Sequence, residues 1–450
     1  MARFAVRMRS ERAALLGALA FWGVVYAAPR PFWYDEGLLG RLRVEDLLFP
    51  FVLVYVLRNI RHVRAIMGGK LALAMSFWLL WAFLTTSLNA VFRGFPIPIT
   101  LAFFGKELEF CVFLAAMAIW ASVSPRAAAG PLAAMAAVVF AAVTFQVATR
   151  RYFGYYGAAL PFDMPVPAGS ASSPSENGSL CAILVAGSFA LAVNHRAWQA
   201  PWRWSLPVVY AAVVASIGTV MLVGSRSGLA GAFGALASVV LWRAVTLRIR
   251  PGTLAAYGVI AAVVAVMLAV SGWAEVVAMR LGQGTREKAV AGRTQNWLDI
   301  YDSHTRDAES HPWSLVVGLG LASPNLVVPS QMGSMTLHVD NQYVRRVFEV
   351  GLGGTALWLV TLGLVARRTF SLSRRTRRRF LLIDAMVGAM TAVAFVGMGL
   401  EVLQVARSST AFHGFWGLLL GTAYHERMRQ HPAEASAVAG AGTDRGRIEA

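Results

Sequence analysis

Charge is scarce in this sequence. Only 14% of its 450 residues are Asp, Glu, Lys or Arg, against about 25% in soluble domains. That shortage excludes a water-soluble body. With 57% hydrophobic residues and a mean hydropathy of +0.56, the chain reads as an integral membrane protein. Cysteine is nearly missing too. Cys111 and Cys181 both fall inside apolar runs, which excludes a disulfide framework and a cysteine metal site. There is no Gly-x-x-x-x-Gly-Lys-Ser/Thr loop and no His-Glu-x-x-His, and the eight histidines have no metal-ligand spacing. We therefore expect neither a metal nor a cofactor. Acidic residues number 23 against 41 Lys and Arg, a net charge of +18. Most of the surplus arginine sits in short loops between apolar runs, the pattern that orients a membrane protein, so no nucleic-acid partner is implied.

What is abundant is apolar sequence. Twelve runs approach the roughly 20 residues needed to cross a hydrocarbon core. They lie near 13–29, 44–57, 71–90, 98–122, 130–148, 177–194, 206–223, 228–246, 254–272, 350–366, 380–400 and 407–424. The second is short enough to sit at the interface. The basic start resembles a signal peptide, but no small-residue cleavage site follows and the segment is expected to remain as the first helix. Alternating sides from a cytoplasmic N-terminus puts every strongly basic loop on one side, including Arg58/Arg61/Arg64/Lys70, Arg243/Arg248/Arg250 and Arg367–Arg379. The expected fold is thus an all-α polytopic membrane protein of about 12 transmembrane helices with both ends inside. One transmembrane domain spans 1–431, and the polar tail 432–450 is expected to be disordered in the cytoplasm.

Two external segments are long, 149–176 and 273–349. Loops beyond about 15 residues usually carry function or are disordered. The second holds the densest polar chemistry in the chain and is expected to be folded. It leads into the stretch around which the chain is organised: His338, Asp340, Asn341, Tyr343, Arg345 and Arg346, then Gly351, Gly354 and Thr355. A rigid helical extension would deliver these groups to the rim of an active site at the membrane surface.

Several residues could carry chemistry, each with a plainer reading beside it. Gly224-Ser-Arg226-Ser-Gly228 sits at the outer junction of the seventh and eighth runs. An arginine there either faces a polar cavity or anion, or snorkels to headgroups from an ordinary turn. Arg280, Arg286, Lys288 and Arg293 follow in the long loop among Glu287, Asp299 and Asp302. They form a solvated face, or one of them folds back to complete a clamp with Arg226. Two guanidinium forks suit a diphosphate, because arginine binds phosphate oxygens bidentately and stays charged. His338 or Asp340 could take a proton from an attacking hydroxyl, while Asp340 could equally cap the following helix. Lys106, Glu107 and Glu109 interrupt the fourth run. Intramembrane charge suggests function, but Lys106 and Glu109 lie three apart on one helical face and can simply pair. Glu401 is a weaker case of the same kind.

The order of these features resembles the O-antigen ligase / O-antigen and exopolysaccharide polymerase superfamily of bacterial envelope glycosyltransferases. The resemblance rests on Ser-Arg226-Ser-Gly after one helix, a helix pair, and an external loop with Arg and Trp. An Asn341-x9-Gly351-x2-Gly354-Thr355 segment then opens the next helix, and Ser172-Ser-Pro-Ser-Glu176-Asn177 stands where this family places a polar turn. The match covers roughly 177–366. It implies a metal-independent glycosyltransferase-C-like enzyme in the bacterial inner membrane, with its active site on the periplasmic side. Such enzymes take glycan from an undecaprenyl-diphosphate carrier. Arg226 matches the family's junction arginine and Arg293 its loop arginine, both holding the diphosphate. Arg280, Asn341, Tyr343 and Arg345 would line the diphosphate or glycan site. In ligases a histidine precedes the asparagine; here Asp340 occupies that position and His338 lies two residues early.

That departure favours a polymerase, with Asp340 or His338 as base, transferring lipid-linked glycan to a sugar hydroxyl of another lipid-linked repeat unit. The alternative is an O-antigen ligase that transfers glycan to a lipid A core or other acceptor. A transporter or flippase of lipid-linked sugars is a third reading, disfavoured because the polar chemistry is concentrated in one external loop. Expected partners are the lipid-linked donor, an acceptor glycan, membrane lipid, and a chain-length regulator or other polysaccharide-assembly proteins.

Overall fold

A computed structural model describes residues 2–27, 44–94, 97–149, 174–194, 205–223, 225–246, 312–321, 341–374, 379–398 and 406–431, with isolated positions between 298 and 309 and at 376. Among these residues every element is a helix. In chain order they are α1 (Ala2–Tyr26), α2 (Val44–Arg58), α3 (Ile60–Met67), α4 (Gly69–Arg93), α5 (Ile97–Val123), α6 (Pro125–Thr149) and α7 (Pro174–Val193). They continue with α8 (Ser205–Val223), α9 (Arg226–Thr246), the single-turn α10 (Ser314–Val317), α11 (Gln342–Ser373), α12 (Arg379–Gly397) and α13 (Ala406–Gln430). Eleven of the twelve expected apolar runs fall on these helices; the run near 254–272 lies outside the described residues. Among the described residues, six helices are long and apolar enough to cross a bilayer: α4, α6, α7, α9, α11 and α12. Phe51, Phe77, Leu80, Val91, Phe92, Leu241 and Val245 face outward, exposed, as fits a protein whose surrounding solvent is hydrocarbon.

The short second run does not stand alone. After α2 the chain turns at Asn59 into α3, whose Val63, Ile66 and Met67 are buried while Arg61 and Arg64 are exposed. The last carbonyls of α3 would lack partners. Arg368 of α11 supplies them, donating from Nε to Ile66 O at 2.9 Å and from a terminal nitrogen to Ala65 O at 3.0 Å.

The bundle is assembled on close backbone contact. Without a hydrophobic force between helices in lipid, small residues that let backbones approach are what hold them. α13 lies against α5 along Gly417 and Gly421, where an added Cβ would meet Leu114 O at 2.3 Å and Ala118 O at 2.2 Å. α7 crosses α9 at Gly178 and Gly228, where a Cβ on Gly228 would sit 2.6 Å from the Gly178 Cα. At their opposite ends α7, α9 and α12 are tied by a buried polar triad. Arg243 donates to Asp384 Oδ2 at 2.8 Å and to Asn194 Oδ1 at 2.6 Å, and Asn194 donates to Asp384 Oδ2 at 2.8 Å.

One expectation needs correction. The segment after Asn341 is not a continuous rigid extension of the membrane helix, because α11 is broken at Gly351 (φ 68°, ψ −179°). A break frees carbonyls that lipid cannot satisfy. Three of them are met by other elements. Leu319 N donates to Phe348 O at 3.0 Å, Gly320 N to Glu349 O at 2.8 Å, and Trp81 Nε1 of α4 to Val350 O at 3.1 Å. The Gly318-Leu-Gly320 strand of chain fits because Gly318 (φ 82°) and Gly320 (φ 90°) are left-handed and unobstructed by side chains. A Cβ on Gly318 would stand 2.3 Å from Gly351 N, and one on Gly351 would stand 2.2 Å from Val316 O. Part of the long loop is thus packed into the break.

Gly351→Ala is therefore expected to lower stability by on the order of 2 kcal/mol or more, since both its φ and its space forbid a side chain. Gly363→Ala, in open space on the same helix, should be neutral or slightly stabilising. Thermal unfolding of the two variants in detergent checks this; equal melting temperatures would contradict the interlock.

Candidate functional site

The break divides α11 into a half-helix, 342–350, and the longer span below it. The half-helix starts where the sequence predicts functional groups, but its cap is Asn341 rather than Asp340. Asn341 is extended (φ −134°, ψ 113°), and its Oδ1 accepts from Tyr343 N at 2.9 Å and Val344 N at 3.2 Å. An asparagine cap satisfies two of the otherwise orphaned donors. Tyr343 turns to α12, where its hydroxyl donates to Ala394 O at 3.3 Å. Both residues were expected to bind substrate, and both have at least one structural task.

The two arginines, expected at an exposed rim, are instead buried: Arg345 is 3% and Arg346 1% exposed. Arg345 Nε pairs with Glu349 Oε1 at 3.0 Å, one turn on. Arg346 reaches across to α5 and pairs with Glu107 Oε1 at 2.5 Å, with Glu349 Oε2 at 3.9 Å behind it. Its guanidinium carbon lies 5.3 Å from the Trp78 ring centre and 5.6 Å from that of Trp358. Two aromatic faces thus supply further cation–π attraction. Two arginines and two glutamates balance in charge, which is what burial of ions requires.

Lys106 and Glu109 do pair, at 2.8 Å. Lys106 also contacts Asp46 of α2, so the charges in the fourth run knit α2, α5 and α11 together. Glu107, the member facing α11, is the one whose partner lies 239 residues away.

The N-terminal ends of α7, α9 and α13 meet. Gly178 touches Ser225 and Gly228, and the Ser179 and Ser408 hydroxyls share a hydrogen bond at 2.5 Å. The end is polar and closed: Glu176, Asn177, Ser225, Arg407, Ser408, Ser409 and Thr410 are all at most 5% exposed. Asn177 Nδ2 is buried without a hydrogen-bond partner among the described residues. Arg226 is the first residue of α9. Three helix N-termini each carry a partial positive charge, so their shared end favours an anion. Among the described residues no three His, Cys, Asp or Glu converge as a metal site would require.

Of the sequence-predicted residues, the structure brings Asn341, Tyr343 and Arg345 to one half-helix and places Arg226 at the neighbouring helix end. His338, Asp340, Arg280 and Arg293 lie outside the described residues. Sequence reasoning missed the Arg407–Thr410 polar start of α13, the glycine pair in the loop, and the Trp78/Trp358 sandwich. The Arg345-Arg346-x-x-Glu349 spacing did carry a local signal of pairing; the cross-bundle partner Glu107 carried none. No family model matches the chain, and no curated protein matches it.

Removing one partner of a buried pair leaves an uncompensated charge, at a cost of about 3–5 kcal/mol. Glu107→Ala should therefore be much less stable than wild type. The double variant Glu107→Leu/Arg346→Met should recover most of the loss. A double-mutant cycle on thermal stability measures the coupling, and strict additivity would show that the pair contributes nothing.

Proposed function

We propose that this protein is a bacterial inner-membrane glycosyltransferase that polymerises a surface polysaccharide from undecaprenyl-diphosphate-linked repeat units. In this reading twelve helices cross the membrane with both chain ends inside. The segments 149–176 and 273–349 lie outside, and the α7/α9/α13 end faces that side. The basic loops that share one side in the sequence support the orientation.

The observation that carries the reading is the convergence of helix N-termini at the Ser225-Arg226 junction. A departing diphosphate gathers negative charge. Fixed positive ends and guanidinium groups that need no reorganisation stabilise that charge where it develops. Arg226 and Arg293 hold the diphosphate, and a sugar hydroxyl of the acceptor attacks the anomeric carbon. Asp340 and His338 are the sequence candidates for the base, on the segment the capped half-helix anchors. The ion pairing of Lys106, Glu107 and Glu109 supports a structural role for that cluster over a translocation site, and so favours the enzyme over the transporter.

Full-length protein in lipid vesicles, given undecaprenyl-diphosphate-linked repeat units and no other acceptor, is expected to form a product ladder on a gel. Arg226→Ala and Arg293→Ala should each reduce it by about 100-fold or more, the scale of losing one charge-stabilising donor. Transfer only when a lipid A core is supplied would make the protein a ligase. A normal ladder from both arginine variants would remove the clamp from the mechanism.

A further inference from the structure

α13 is enclosed by α1, α5, α6, α7, α11 and α12. From 407 to 424 every residue is buried except one, His413. On a helix packed on so many sides, a partly exposed position borders a space within the bundle. His413 stands two turns in from the polar start of α13, about 10 Å below Ala406 at 1.5 Å per residue. Its ring is stacked on Phe110 of α5, with centres 5.3 Å apart and planes at 11°. The Arg346 guanidinium lies within electrostatic range of it.

The ring's protonation is set by its neighbours. Nδ1 lies 2.8 Å from the Ser409 carbonyl oxygen and 3.3 Å from the Ser409 hydroxyl. A carbonyl only accepts, so Nδ1 carries the hydrogen and donates it. The lone pair of the neutral ring is therefore on Nε2. Nε2 has no hydrogen-bond partner among the described residues. A histidine that served only to fill the core would have both nitrogens used or sealed. Here one is anchored, the ring plane is fixed by stacking, and the basic nitrogen is left without a partner among the described residues.

We infer that His413 Nε2 is the general base that receives the proton of the acceptor hydroxyl, in place of Asp340 or His338. The inference rests on the transferase reading above. The sugar O–H bond breaks with its proton going to Nε2, and the oxygen bonds to the anomeric carbon of the donor. The bond from that carbon to the diphosphate breaks with its electron pair leaving on the diphosphate. The imidazolium then returns its proton to water as product leaves. Its transient charge forms within range of the Arg346 guanidinium, which Glu107 pairs.

The test uses the full chain in vesicles with undecaprenyl-diphosphate-linked repeat units. His413→Gln and His413→Ala are each expected to slow transfer by about 100-fold or more, the usual worth of a positioned base. The KM for the donor and the melting temperature should stay near wild type. Added imidazole should restore part of the rate in His413→Ala and none in Arg226→Ala. A normal ladder from both His413 variants overturns the base alone. Loss without imidazole rescue, accompanied by a fall in melting temperature, marks the residue as structural and also overturns it. A wild-type protein that forms no product overturns the transferase reading and the base with it.

Discussion

A helix broken inside a bilayer must find partners within the protein for the carbonyls it frees, and the break at Gly351 imposes that demand on everything around it. Phe348 O, Glu349 O and Val350 O are met by Leu319 N, Gly320 N and Trp81 Nε1. Two of those donors come from the long segment before Asn341 and one from α4. Satisfying the break therefore fixes three parts of the chain at once. It also detaches the half-helix 342–350 from the membrane span below, so the cap at Asn341 and the arginines are positioned by their own contacts rather than by the span's tilt. Discontinuous helices are where membrane proteins place irregular backbone for a purpose, since lipid tolerates it only when it is buried or lines a cavity.

Charge obeys the same rule. Arg346 is 1% exposed, and a charge buried so deeply needs near-complete compensation. Glu107, Glu349, Trp78 and Trp358 supply it from α4, α5 and α11. The result ties the half-helix sideways to α5, which in turn lies along α13 at Gly417 and Gly421. Positions at the polar end of the bundle are thus set by two kinds of contact that tolerate little play: buried ion pairs and glycine-mediated backbone packing. A reaction that needs a proton acceptor and an anion site in fixed relation is served by such a frame.

The sequence made the helices legible because composition and run length are local. Eleven apolar runs fall on helices, though α1 starts at Ala2 rather than near 13 and α11 spans Gln342–Ser373 rather than 350–366. The pairing of Lys106 with Glu109 was legible for the same reason, being a spacing on one helix. What could not be read was anything that depends on which helices touch. Glu107 and Arg346 are 239 residues apart, and nothing in either neighbourhood names the other. The fit of Gly318-Leu-Gly320 against Gly351, with its own positive φ, exists only in the folded chain. Asn341 stands where the family resemblance puts a substrate residue and also caps a helix, because an asparagine before a helix is suited to both.

His413 shows the limit most clearly. In the sequence it is one histidine in an apolar run, two residues from Phe415 and three from Trp416, and core packing explains it fully. Only the enclosure of α13 on so many sides turns its partial exposure into information, since exposure on a peripheral helix would mean lipid. Only the Ser409 carbonyl decides which nitrogen keeps the lone pair. Neither fact is encoded near residue 413; both arise from the assembled bundle. If the base lies there, the chemistry sits about two helical turns inside the polar end, within the frame set by the Gly351 break. The acceptor sugar must then enter the bundle rather than meet the donor at its rim.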